Sequence, residues 1–401
     1  MQYVKGVPYF CLNVEYLKQY QYLTTNISCD ILIVGGGICG AILNYYLSQK
    51  YDVALIDKGR IGQNCTSCAT AILEYQLDEF YEDLKQELTK QEIIEIYKMG
   101  QNSIKKIEKF IKKYGNNCNF AKRPSFLFSQ NAQDNNKLKK EYNLRKNYGF
   151  DCKLYTRTNN PFPFPIASGI YDKNGGAELN PYLFCKQLIE NSKNQDKIYE
   201  NTSFDSFLTE NNGFCVTTCY NHKIYAKKIV LATGFNMEFF QDENMMQRFI
   251  TYTIVTNPVK CIQWKNNAII RDNQKPYHYL RKLPDNRLIF GGEDVKFKKQ
   301  NYSKAKCEKK YKNLYNTLCS LFEKDKTQIK IDYKFCGAFG TTDNNLGLIG
   351  ETDIDNLYLF LSCGANGIIN AINGVEMIEN MFNHKQHPLA HLFTPMRVID
   401  S

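Results

Sequence analysis

Two short stretches of the chain carry residues whose types and spacing could do chemistry. In VGGGICGA, residues 34–41, Gly35, Gly37 and Gly40 stand in G-x-G-x-x-G spacing. The first glycine of such a run permits a tight turn, the second lets backbone approach a pyrophosphate, and the third lets a helix pack closely on a strand. Ile38 and Cys39 lie in this turn, ahead of a helix whose N-terminus favours an anion. In GQNCTSCATA, residues 62–71, Cys65 and Cys68 stand as Cys-x-x-Cys. That pair is a redox couple, half of a metal site, or two small packing residues, and its neighbours must decide.

The elements around these stretches are legible. Residues 30–57 read as the strand DILIV, the glycine turn, a helix over Ala41–Gln49 and the strand DVALID, with Asp57 at its end. An acid about 20 residues beyond the glycines is placed to accept hydrogen bonds from a ribose. Together these features predict a dinucleotide site. A second β-run, KKIVLATGFN at residues 227–236, ends in Ala232, Thr233 and Gly234. A third segment, Leu357–Phe382, reads as a strand, the turn Gly364-Ala365-Asn366-Gly367, and a helix with Ile368, Ile372, Val375, Ile378 and Met381 on one stripe. The positive end of a helix beginning near Gly367 would favour a second anionic group.

Composition sets the frame. A chain of 401 residues with 43% hydrophobic content is long enough for two or three domains with buried cores. The formal charge of +10 comes from scattered lysines such as Lys105, Lys106, Lys109, Lys112 and Lys113, interrupted by Glu108. That pattern reads as solvated helix faces and not as a nucleic-acid stripe. Fifteen cysteines are an odd count at irregular spacing, and MQYVKGVPYF lacks a basic region followed by an apolar one, so we expect a cytoplasmic protein with free thiols. Cys39, Cys185, Cys215, Cys336 and Cys363 sit where a small apolar residue would serve. The apolar run Ile31–Leu47 is shorter than the roughly 20 residues a bilayer requires and is broken by glycines, so no membrane span is expected.

With these segments in place, the chain resembles the D-amino-acid-oxidase-like (DAO) family of FAD-dependent oxidoreductases, which includes glycine oxidase, sarcosine oxidase and glycerol-3-phosphate dehydrogenase. The resemblance spans nearly the whole chain. It rests on DILIVGGGICGA, LIDKGRIGQNCTSCATAILEYQLD, GGAELNPYLFCKQL, KKIVLATG, YHYLRKLPDNRLIFGGED, and CGAFGTTDNNLGLIG followed by GANGI. It implies an α/β fold in which a Rossmann-like FAD-binding domain is interleaved with an α+β substrate domain on a mostly antiparallel sheet. The implied division assigns residues 1–90, 170–235 and 340–401 to the FAD domain, and 91–169 and 236–339 to the substrate domain. The implied cofactor is FAD, with non-covalent attachment favoured. Besides the fingerprint glycines and Asp57, the resemblance assigns to it Lys58, Arg60, Thr66, Ser67, Thr70 and Ala71 in the loop after the acid. It adds Ala232, Thr233 and Gly234 of the second motif, and Gly364, Asn366, Gly367 and Ile368 of the third. In that loop Cys65 and Cys68 occupy two small positions, which favours packing; a thiol/disulfide function stays as the alternative.

The implied reaction moves a hydride from a carbon bearing an amine, or a hydroxyl, to flavin N5, with oxygen or another acceptor taking the electrons onward. No metal or nucleic acid is required. Tyr252, in TYTIVTNP, is the expected substrate-facing residue, with Arg281 as a second candidate. Strand alternation puts Tyr277, Tyr279 and Arg281 on one face. The chain departs from amino-acid-oxidising relatives at both arginine positions that hold a carboxylate, having Gly337-Ala338-Phe339 and Ala365 there. Cys336 lies near a position used for covalent flavin in sarcosine oxidases. His384, His387 and His391 read as surface residues in a polar tail. A non-catalytic FAD protein that binds RNA or another partner is the remaining alternative.

Overall fold

The computed structural model describes the chain except residues 1–3, 13, 15–17, 211–212, 236–244, 299–301, 343, 363, 365 and 397–401. Cys363 and Ala365 therefore lie outside the described residues.

The β-branched runs read above form the centre of an eight-stranded sheet. Its main path is Leu348–Glu351, Leu357–Leu361, Lys223–Leu231, Ile27–Val34, Val53–Ile56 and Ile198–Tyr199. The four central strands are parallel, with Leu231 level with Val34 and Val34 level with Ile56. Near-continuous apolar sequence is what a parallel sheet covered on both faces requires. Helix Ile38–Leu47 covers one face and buries Ala41, Ile42, Leu43 and Leu47. It starts three residues earlier than the sequence reading, directly after Gly37, so that Gly40 lies inside the helix. The helix Gly367–Phe382 packs beside it, burying Ile368, Ile372, Val375 and Ile378 of the expected stripe.

A ten-stranded sheet forms the second layer. Its main path runs Val4–Gly6, Ile331–Thr341, Gln247–Thr256, Leu288–Lys296, His278–Lys282, Ile269–Asp272, Ala121–Ser129, Ser168–Glu178 and Ile72–Glu74. Most neighbours are antiparallel; Ile269–Asp272 and Ala121–Ser129 are parallel. One face packs on the helix Lys304–Leu321, where Ile250, Tyr252, Ile254, Leu280 and Phe290 meet Tyr311, Leu314 and Leu318. The opposite face turns toward the parallel sheet.

The long helix Lys90–Tyr114 begins with Thr89 and Glu92 capping each other's backbone amides and packs against Gly367–Phe382. Its lysines 105, 109, 112 and 113 point to solvent. Strands Ile72–Glu74 and Ser168–Glu178 belong to the larger sheet. We therefore propose keeping the interleaved division 1–90, 170–235 and 340–401 against 91–169 and 236–339, with these two strands and Val4–Gly6 moved to the substrate layer. Among the described residues, no helix is long and apolar enough to cross a membrane.

Candidate active site

The carboxyl ends of the parallel strands face a cleft of about 450 Å³ that runs between the two sheets. Such strand ends are the usual place for a ligand in an open α/β sheet. Gly35 has φ +111°, and a Cβ there would lie 2.5 Å from the carbonyl oxygen of Ala232. The turn is that tight because adjacent strands grip it: Gly35 N donates to Ile56 O at 2.8 Å, and Ala232 N to Val34 O at 2.8 Å. A Cβ on Gly40 would lie 1.8 Å from Gly35 O, so the helix can approach the turn only with glycine there. Gly37 gives the helix no side-chain cap; instead Thr66 Oγ1 accepts from Ile38 N at 2.9 Å. Asp57 accepts from Gly36 N at 2.6 Å and from Gly59 N at 2.7 Å. Burial raises its pKa above the ordinary carboxylate value, while those two amides act the other way.

Of the expected cofactor residues, Gly35, Gly37, Ile38, Cys39, Asp57, Lys58, Thr66, Thr70, Ala71, Ala232, Thr233, Gly234, Gly364, Asn366, Gly367 and Ile368 line the cleft. Three expected residues do not line it. Gly40 sits behind the turn, where its role is the close approach just described. Arg60 is exposed, and Ser67 Oγ donates to Asn64 O at 2.7 Å within the short helix Cys65–Cys68. Thr202, Ser203 and Phe204 line the cleft as well, with Thr202 N donating to Asp57 O at 2.8 Å. Sequence reasoning missed them because they follow a two-residue strand, Ile198–Tyr199, that carries no periodic signal.

Two helices aim their N-termini at this one cleft, through Gly37, Ile38 and Cys39 on one side and Asn366, Gly367 and Ile368 on the other. The first-turn amides and the helix dipole favour negative charge at both places. Asn366 Nδ2 donates to Gln76 O at 2.6 Å, fixing the second helix start against the segment that leads to the substrate end. An extended dinucleotide with a diphosphate at one helix and an electron-accepting ring at the other fits this donor set.

The substrate end differs from expectation. Tyr252 is only 1% exposed and its ring meets Tyr311 edge-on at 5.9 Å, on the helix-covered face. Its neighbour Thr251 lines the cleft instead. A strand's side chains alternate, so a one-residue difference in register exchanges the two faces. Arg281 is 2% exposed and also lies off the cleft: it donates to Leu179 O at 2.9 Å, stands 3.8 Å from Glu178 and covers the Phe10 ring. Burial lowers its pKa to about 10, with Glu178 opposing. Tyr277 and Tyr279, from the same strand face, do reach the cleft.

Thr251, Arg271, Asp78, Glu74 and Asp294 complete that end. Arg271 donates to Asp78 Oδ1 at 2.8 Å and pairs with Glu74 at 3.4 Å. Tyr279 Oη and Thr251 Oγ1 are 3.0 Å apart. Burial raises the Tyr279 phenol to about 12, so it is neutral at ordinary pH. Gly337, Ala338, Phe339 and Gly340 form a wall without a charged group. One signal for Asp294 was available in the sequence: two glycines inside a strand, Gly291-Gly292, mark an irregular ladder.

Cys65 and Cys68 are free and line the cleft. Burial pushes Cys65 up to about 12 and Cys68 higher still, which leaves little nucleophilic thiolate. Cys336 is wholly buried on the helix-covered face, where burial raises its thiol to about 12. The residue at the cleft is Gly337, where a Cβ would come 2.9 Å from Cys68 Cβ. His384 and His391 are exposed, and His391 Nε2 meets Glu92 at 2.9 Å.

The family model for FAD dependent oxidoreductases (DAO) matches residues 30–379, and the chain belongs to that family. It is an FAD-dependent oxidoreductase whose cofactor is FAD. Its fold is similar to L-proline dehydrogenase from P. horikoshii, at 17% identity and TM-score 0.78 over 94% of this chain and 99% of that one. Glycine oxidase from Geobacillus kaustophilus superposes with TM-score 0.75 at 17% identity, over 92% and 98% of the two chains. L-alpha-glycerophosphate oxidase from Mycoplasma pneumoniae, with FAD bound, does so with TM-score 0.73 at 16% identity, over 90% and 97%.

Proposed function

We propose that the protein oxidises a small amine, moving a hydride from the carbon beside nitrogen to FAD, with oxygen or another acceptor reoxidising the cofactor. The observation that carries this reading is the charge of the substrate end. Its arginine, Arg271, is committed to Asp78 and Glu74, Asp294 adds a third carboxylate, and the Gly337–Gly340 wall brings no cation. Such an end favours a cationic donor over a carboxylate or a phosphate. The likeness to glycine oxidase and L-proline dehydrogenase, whose names state amine-bearing donors, supports the same class.

In this reading the chain's own residues bind and orient. The amides of Gly37 and Cys39, together with the Thr66 hydroxyl, would hold the diphosphate, and Asp57 would orient a ribose. Thr233 and Gly234 would form part of the wall against the cofactor, and the helix beginning at Gly367 would favour negative charge near its start. When bound, FAD supplies the two-electron acceptor. The phenols of Tyr277 and Tyr279 exclude water and align the donor. The test is an anaerobic screen of primary amines, secondary amines, amino acids and polyols for bleaching of the flavin absorption. Bleaching by amines is the expected result; bleaching by polyols alone would refute the amine reading.

A further inference from the structure

The strand Leu288–Lys296 carries a bulge at the cleft. Opposite it, Tyr252 pairs with Gly292 while Ile250 pairs with Val295, so the ladder slips by one residue between them. Glu293 takes up the slip with φ +60°, a conformation that costs a side chain energy. Without the slip, strict alternation would turn Glu293 to the cleft and Asp294 to the helix-covered face. With it, Glu293 lies on the far side, bonded to Lys310 at 2.8 Å and Asn313 at 3.2 Å, and Asp294 faces the cleft. Among the described residues, Asp294 Oδ1 is shut off from water and has no hydrogen-bond partner. An orphaned carboxylate oxygen in a ligand cleft is costly unless a ligand donates to it.

Resting on the reading of this cleft as an amine-oxidising site, we propose that Asp294 binds the substrate ammonium and takes its proton, which makes alkylamines without a carboxylate the preferred donors. In that step one N–H bond breaks and one O–H bond forms on Asp294. The electron pair stays on nitrogen, both charges are neutralised, and no electrons are exchanged. The neutral amine is the form from which a hydride can leave.

The surroundings fit this role. Burial raises the Asp294 carboxyl to about 7; the Thr251 hydrogen bond lowers it, Asp78 raises it, and His278 and Lys310 lower it from behind the strand. Tyr277 and Tyr279 face it as neutral phenols. Arg271, which could otherwise compete for it, is held by Asp78 and Glu74. A proton acceptor poised near neutral pH is the efficient kind.

The probe is tert-butylammonium chloride, which stays cationic across neutral pH and has no hydrogen on the carbon beside nitrogen to give up as hydride, titrated anaerobically into the holoenzyme while the flavin spectrum is recorded. Affinity should strengthen about tenfold per pH unit as pH rises toward 7 and level off above it. Asp294→Asn should bind at least about tenfold more weakly above pH 7, with no pH dependence, while sodium acetate gives no saturable response in either protein. Asp294→Asn with wild-type affinity and pH profile, a flat profile in the wild type, or tighter binding of acetate would overturn the assignment. The wild-type profile decides the matter even if the variant does not fold. If no amine bleaches the flavin, the functional reading falls; if amines bleach it and the ammonium profile is flat, only the role of Asp294 falls.

Discussion

Gly40→Ala is the sharpest test of how the turn is built. The added Cβ would sit 1.8 Å from Gly35 O, and real Cβ contacts essentially never fall under 3.0 Å. The helix start must therefore retreat by more than about an ångström, against backbone that cannot rotate away. Overpacking of this kind costs about 1–3 kcal/mol, and the retreat carries the amides of Ile38 and Cys39 away from the cleft. Gly37→Ala is the matched control. Gly37 has φ −69°, which alanine adopts freely, and its added Cβ would meet only Thr66 Oγ1, at an ordinary 3.4 Å. Gly37→Ala should leave the apoprotein within about 0.5 kcal/mol of wild type while weakening FAD through the cleft wall. Gly40→Ala should lose stability and FAD together, with affinity down at least about tenfold, equivalent to roughly 1.4 kcal/mol. Urea unfolding of the apoproteins and quenching of FAD fluorescence on titration read the two quantities separately. Wild-type stability and wild-type FAD affinity in Gly40→Ala would refute the reasoning.

Other expectations follow from the same geometry. Tyr252→Phe removes a hydroxyl from the helix-covered face and should leave amine-driven flavin reduction within about twofold of wild type, whereas Tyr279→Phe, at the cleft, should slow it about tenfold; stopped-flow reduction compares them. The Cys65→Ser, Cys68→Ser double variant should retain full flavin reduction, and native Cys65 should resist iodoacetamide at pH 8 because its thiol is raised to about 12. Asp294 is protonated more readily in the folded chain than in the unfolded one. Its contribution to stability is therefore complete below about pH 4 and is lost as pH rises through 7. Asp294→Asn should accordingly make the apoprotein more stable than wild type at pH 8, by at most about 4 kcal/mol, with the difference gone near pH 4 in thermal melts. Lys186 and Glu200 form a buried pair at 3.2 Å, and Glu200 also accepts from the backbone of Ile61 and Tyr20. Lys186→Met strands that charge and should cost about 3–5 kcal/mol in urea unfolding.

The cofactor half of the cleft was legible in the sequence because its signals are local. A turn that demands glycine, a strand that must be apolar throughout, and an acid at a strand end are each written within a few residues, as at Gly35, Leu55 and Asp57. The substrate half depends on non-local register. Whether Thr251 or Tyr252 faces the cleft is set by pairing with Gly292, about 40 residues away, and the bulge at Glu293 reverses the faces beyond it. Arg281 shares a strand face with Tyr279, yet sits under Leu179, a contact no local pattern encodes. Arg271 was passed over because a lone arginine in a β-run carries no signal until the fold brings Asp78 and Glu74 to it.

The most direct measurement of the central claim is reconstitution. Apoprotein mixed with FAD and desalted should retain one flavin per chain, and acid precipitation should release all of it into the supernatant, since Cys336 faces away from the cleft. Protein that stays colourless after reconstitution would contradict the account.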